Sequence, residues 1–167
     1  MLVYIPATLG TLQRLVADGQ LHAANGTAFA VTPTLREAYA HGDEEELADV
    51  ALRDAALASL RLLAGGGDEP LPKRRAVLVA EVDDSDAKPR PDLDDSVVRL
   101  SGPIGIDQVV CAHVDTAAAE PAVEAAIDAI DRADLGDEDA ELVVGDAQDH
   151  DLAWYGREEL PFLIELL

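Results

Sequence analysis

The sequence predicts an α+β fold: a single globular domain over residues 1–167, its mixed or mostly antiparallel sheet flanked by helices. Three observations predict it. Short apolar runs rich in β-branched residues, such as Ala76–Val82 and Asp107–Val114, read as buried strands. Apolar residues at helical spacing recur in three longer segments. The two kinds of segment do not alternate as regular βαβ units, which argues against a doubly wound parallel sheet.

Taken in order, Leu2–Pro6 is an apolar strand that Pro6 ends. Thr8 then caps a helix whose Leu9, Leu12, Leu15 and Val16 share one face, and Gly19 closes it. Asn25-Gly26 is a turn signal. Thr27–Thr32 reads as a strand, and Thr32-Pro33 hands it to a short helix ending near His41-Gly42. Asp43–Glu46 opens the longest helix, running to Leu63, with acidic residues at its positive N-terminal end and Arg53 and Arg61 further on. Leu47, Val50, Ala51, Leu57 and Leu60 make its apolar stripe, and Gly65-Gly66-Gly67 stops it. Ala76–Val82 is the clearest strand, and Asp83–Ser96 is an acidic, proline-bearing loop. Val97–Leu100 and Asp107–Val114 are strands joined through Ser101-Gly102-Pro103. Pro121 suits the first turn of a helix with the stripe Val123, Ala126, Ile127 and Ile130. Beyond the acidic turn Asp134–Asp139, Glu141–Val144 reads as a strand and Leu152–Tyr155 as another. Leu160–Leu167 is a terminal helix or strand. Within the single domain, 1–115 forms a core and 116–167 an acidic extension.

Charge restricts the partners more than any motif does. Thirty-four Asp and Glu face twelve Lys and Arg, a formal net charge of −22. Direct binding to nucleic acid or to an anionic membrane is driven by Lys and Arg displacing counterions, so both are excluded. The excess is graded: residues 1–40 are neutral, whereas 116–167 carry fifteen acids against Arg132 and Arg157 alone. Hydrophobic residues make up 49% of the chain, so this acidity does not imply disorder. The single cysteine, Cys111, cannot form an internal disulfide, and MLVYIPATLG has neither the basic region nor the apolar run of a signal peptide. A cytoplasmic protein is expected.

Chemistry-bearing patterns are few. From Asp131, Gly136 falls at position six of a calcium loop, but Ala133 and Leu135 then occupy ligand positions. Asp149-His150-Asp151 lacks an i, i+4 partner and its consecutive side chains diverge, so no metal is expected. Cys111 and His113 lie two apart on one strand, too far for a nucleophile–base pair, and their apolar neighbours predict an inert, buried thiol. Gly65-Gly66-Gly67 follows a helix and lacks Lys-Ser/Thr, so it is a helix stop, not a phosphate loop. Trp154-Tyr155, the one aromatic cluster, is expected to plug the core. No cofactor is indicated.

The segments VYIPATL (3–9), AFAVTPTLREAY (28–39), RRAVLVAEVDD (74–84), AHVDTAAAEPAV (112–123) and DLAWYGREELPF (151–162) resemble an uncharacterised actinobacterial domain-of-unknown-function family across the whole chain. That resemblance implies no activity. The order of Val3–Ala17, AFAVTP, AVLVAEVD and VVRLSGPIGIDQVVCAHVD is also similar to the small ADP-ribosyltransferase-like split-sheet domains over residues 2–115. Tyr4 stands where those domains have His or Arg, and Asp115 is the carboxylate nearest their closing-strand Glu. This second resemblance implies a cleft near Tyr4, Thr32 and His113, with Trp154 close by, for a nucleotide or small molecule. Three readings follow: a non-catalytic binding protein whose segment 116–167 meets a basic protein partner, a degenerate enzyme of transferase-like fold, or a protein whose charge serves solubility or salt adaptation alone.

Overall fold

The computed structural model describes all 167 residues. In chain order its strands are β1 (Leu2–Ala7), β2 (Gln20–Leu21), β3 (Thr27–Phe29), β4 (Ala76–Glu81), β5 (Ala87–Pro89), β6 (Val97–Leu100), β7 (Ile104–Gly105), β8 (Val109–Asp115) and β9 (Leu152–Gly156). The helices are α1 (Leu9–Asp18), α2 (Pro33–Ala38), α3 (Glu44–Ala64), α4 (Glu120–Asp134), α5 (Glu138–Gln148) and α6 (Leu160–Glu165). Seven strands form one sheet in the order β5-β6-β3-β1-β4-β8-β9, and β2 pairs with β7 beside it. Every pairing is antiparallel, so the α+β architecture holds with no parallel component.

Period-two alternation sorts the strands onto two faces. Val3, Ile5, Leu78, Ala112 and Val114 point into a core of 22 buried residues that also takes Leu9, Leu12 and Leu15 of α1 and Leu160 and Leu163 of α6. Tyr4, Phe29, Val77, Val79 and Cys111 point to the opposite face, where Ala51, Ala55 and Ala56 of α3 cover them. The far end of α3 continues into a third cluster, in which Leu60 and Leu63 pack against Val123, Ala126 and Ile130 of α4 and Ala140, Val144 and Ala147 of α5. Alanine-rich contact surfaces let these helices sit close, as a chain with 4% aromatic residues requires.

Helix ends follow local chemistry. Thr8, Thr32, Asp43 and Asp137 each accept a hydrogen bond from the backbone three residues on, capping α1, α2, α3 and α5. Gly19 ends α1 in the left-handed conformation at φ 76°.

Several elements depart from the sequence reading. Glu141–Val144 is helical, because Asp137 caps a helix whose Ala140, Val144 and Ala147 recur at helical spacing against α4. Pro6 does not end β1; it stays in register with Val77 of β4. Short β3 meets β1 only at Tyr4↔Phe29, so Pro6 lies outside that ladder, the edge-like position where a missing N–H is tolerated. Thr27–Thr32 contributes only three strand residues, and the acidic loop 83–96 contains β5. Residues 116–167 supply β9, which extends the sheet beside β8, and α6, which buries Leu160 in the main core.

Candidate functional site

Tyr4 and His113 lie on the same face of the sheet, two strands apart. Tyr4 opposes Val79, Val79 opposes Cys111, and His113 follows two residues on. Burial pushes the Tyr4 phenol and the Cys111 thiol above their ordinary values and holds the His113 imidazole below its own. Cys111 Sγ lies 3.9 Å from His113 Nε2, closer than same-strand neighbours were expected to come. The combination still disfavours thiolate chemistry, because neither a raised thiol nor a neutral imidazole supplies the charge that activates a nucleophile. Trp154 opposes His113 from β9 and is 58% exposed, so it shields this face instead of plugging the core. Its neighbour Tyr155, which alternates to the other side, packs against the main core.

Thr32 is not part of this group. Its hydroxyl donates to the Asp95 carbonyl and accepts from Leu35 N, fixing the start of α2. Tyr4 borders an apolar depression with Met1, Leu2 and Val31, rimmed by the ion-paired Arg36 and Glu44. His113 borders a different one with Asp49, Leu52, Arg75 and His150.

Asp115 is wholly buried and engaged by Arg75, itself 1% exposed. Arg75 Nη2 donates to Oδ1 at 2.7 Å, and Nε and the backbone N–H donate to Oδ2 at 2.9 and 2.7 Å. Gln148 Oε1 accepts from Nη1 at 2.8 Å and the His150 carbonyl from Nη2 at 2.9 Å. The pair pins the start of β4, the end of β8 and the end of α5 together, and Asp115, wholly buried and ion-paired, presents no face to a substrate. The sequence carried the signal: Arg75 precedes one apolar strand and Asp115 ends another, which antiparallel pairing brings to the same edge.

The largest cleft, about 590 Å³, opens between α1, β2 and the loop that follows α3. Asp68, which the sequence reading passed over, forms part of its wall and is only 7% exposed. Its Oδ1 accepts from Thr8 Oγ1 at 2.9 Å and from Gly10 N at 3.1 Å, as a carboxylate at a helix N-terminus should. Its Oδ2 is buried and has no partner. A Cβ on Gly10 would lie 2.4 Å from Asp68 Oδ1, so only glycine admits the carboxylate here.

A second surface stands out by charge. The α4–α5 hairpin, 120–148, carries ten Asp and Glu against Arg132 alone. Only Glu120 and Asp134 are in ion pairs, with Arg74 and Arg61. Near the turn, Leu135 and Leu142 stand 88% and 70% exposed among these acids.

No group of three or more His, Cys, Asp and Glu side chains is gathered to hold a metal ion, and no helix is long and apolar enough to cross a membrane. No curated protein and no solved structure matches the chain. A family model does match, over residues 1–164, and on that extent the chain belongs to the family of unknown function DUF6912.

Proposed function

We propose that this is a non-catalytic interaction protein that receives a basic protein partner on the α4–α5 hairpin. The observation that carries the reading is the hairpin's composition: exposed, unpaired acids surrounding exposed Leu135 and Leu142. Such a surface attracts a cationic partner by its field, while apolar anchors supply the short-range contact. The rest of the chain supports a binding role over a catalytic one. The hydroxyls of Thr8, Thr32, Ser59 and Ser96 are all engaged in holding the fold. For the transferase-like alternative, Tyr4, Thr32 and His113 would have to share a cleft, and each makes its contacts separately.

The test is affinity capture at low ionic strength with three baits: wild type, a Glu138→Gln/Asp139→Asn/Glu141→Gln variant, and a control neutralised at Asp83, Asp84 and Asp86. The expected result is a basic partner retained by wild type and control, lost from the hairpin variant and released by salt. An identical set of captured proteins on all three baits refutes the hairpin as the docking surface.

A further inference from the structure

We propose that the cleft at Asp68 binds a small zwitterion of the amino-acid type, its ammonium donating to Asp68 and its carboxylate received by Arg14. The hairpin contributes no residue to this cleft, so this inference and the function proposed above fail separately.

Asp68 supplies the first half of the argument. A buried carboxylate oxygen without a donor is costly, and one group is missing here while its twin oxygen is doubly engaged. The carboxylate is also held in place by the two bonds to Oδ1, in space that the missing Cβ of Gly10 leaves at the start of α1. Oδ2 therefore cannot find a partner by a small shift without giving up both bonds to Oδ1. Oδ2 has no free surface, so the side chains covering it must move aside before a cationic N–H donor in the cleft can reach it; that donor then satisfies the oxygen.

Arg14 supplies the second half. It lies one turn along α1 from Gly10, and its Nη1 sits 3.6 Å from the same point that a Gly10 Cβ would occupy. The guanidinium thus stands beside the carboxylate at the cleft wall without forming an ion pair with any acid, in a chain where acids outnumber bases 34 to 12. A simple anion would meet repulsion from Asp68 and Asp18 in this cleft, and a simple cation, though drawn to these acids, would leave Arg14 without a counter-charge. A molecule carrying both charges a few bonds apart meets neither. Leu21, Ala24 and Leu62 form an apolar wall for its side chain. The volume of about 590 Å³ falls within the roughly 300–1,000 Å³ of small-molecule sites, with room for more than one residue.

The experiment is an NMR titration of the intact protein with the protein L-amino acids one at a time, followed for the best binder by its carboxamide and its desamino acid. At least one amino acid should shift the amide signals of Thr8, Gly10 and Asp68. Asp68→Asn puts an N–H₂ where the unpaired oxygen stands and should weaken binding by at least roughly tenfold. Arg14→Gln, at an exposed position that does not threaten the fold, should weaken the amino acid by about tenfold while leaving the carboxamide unchanged. If Asp68→Asn does not fold, the Arg14→Gln series and the two analogues still decide the matter. The proposal is overturned if no amino acid shifts these signals, if the desamino acid or the carboxamide binds as tightly as the amino acid, or if Arg14→Gln changes nothing.

Discussion

Replacing Asp115 with alanine should destabilise the protein more than any surface change, and the structure sets the size of the effect. The substitution removes the acceptor of three hydrogen bonds from Arg75, two from its guanidinium and one from its backbone N–H. Arg75 is 1% exposed, so water cannot replace what is lost. Removing one partner of a buried ion pair costs about 3–5 kcal/mol, because the other charge stays buried and uncompensated. Against a total stability of roughly 5–15 kcal/mol this is a large fraction. For a chain of this size it corresponds to a fall in Tm of about 6–20 °C. The Arg75→Met/Asp115→Leu double variant should be closer to wild type than Asp115→Ala, since no orphaned charge remains. Urea denaturation followed by circular dichroism reads both values. A loss below about 1 kcal/mol for Asp115→Ala, the range of an exposed pair, would show that water reaches Arg75 and would refute the reasoning.

Two further predictions concern the sheet face under α3. Burial raises the Cys111 thiol, so alkylation by iodoacetamide should be slow in the native protein and rapid only in denaturant; native labelling at the rate of a free thiol would contradict the described packing. Burial also holds His113 below its ordinary value of 6.5, so on acidification the unfolded chain takes up this proton first. The stability involved is complete above about pH 6.5 and drains away as the pH falls toward the folded-state value. The Tm of wild type should therefore fall further than that of His113→Leu between pH 7.5 and pH 5; a constant difference between the two proteins across that range is the contrary outcome.

Most of the fold was legible because its signals are local. The cap at Thr8, the helix starts at Thr32-Pro33 and Asp43, the helix stop at Gly19 and the strand opening at Ala76 depend on neighbours within a few residues, and each sits where the pattern puts it. Glu141–Val144 failed for the complementary reason. Four apolar-flanked residues suit a strand as well as a helix, and only the Asp137 cap with Ala140, Val144 and Ala147 facing α4 decides between them. Trp154 failed because alternation tells which residues share a face, not which face is covered. α3 spans the centre of that face, while β9 is an edge strand with its Trp154 largely open to solvent.

The sequence by itself determined the fold class, the starts of α1, α2 and α3, and the graded acidity, since composition and short-range capping chemistry need no tertiary contact. Only the tertiary structure decided where chemistry could gather. Asp68 reaches Gly10 and Thr8 across 58 and 60 residues, and Asp115 reaches Arg75 across 40. Such meetings depend on strand order, register and the space left by a missing Cβ. Those are properties of the packed chain, and no window along the sequence contains both partners.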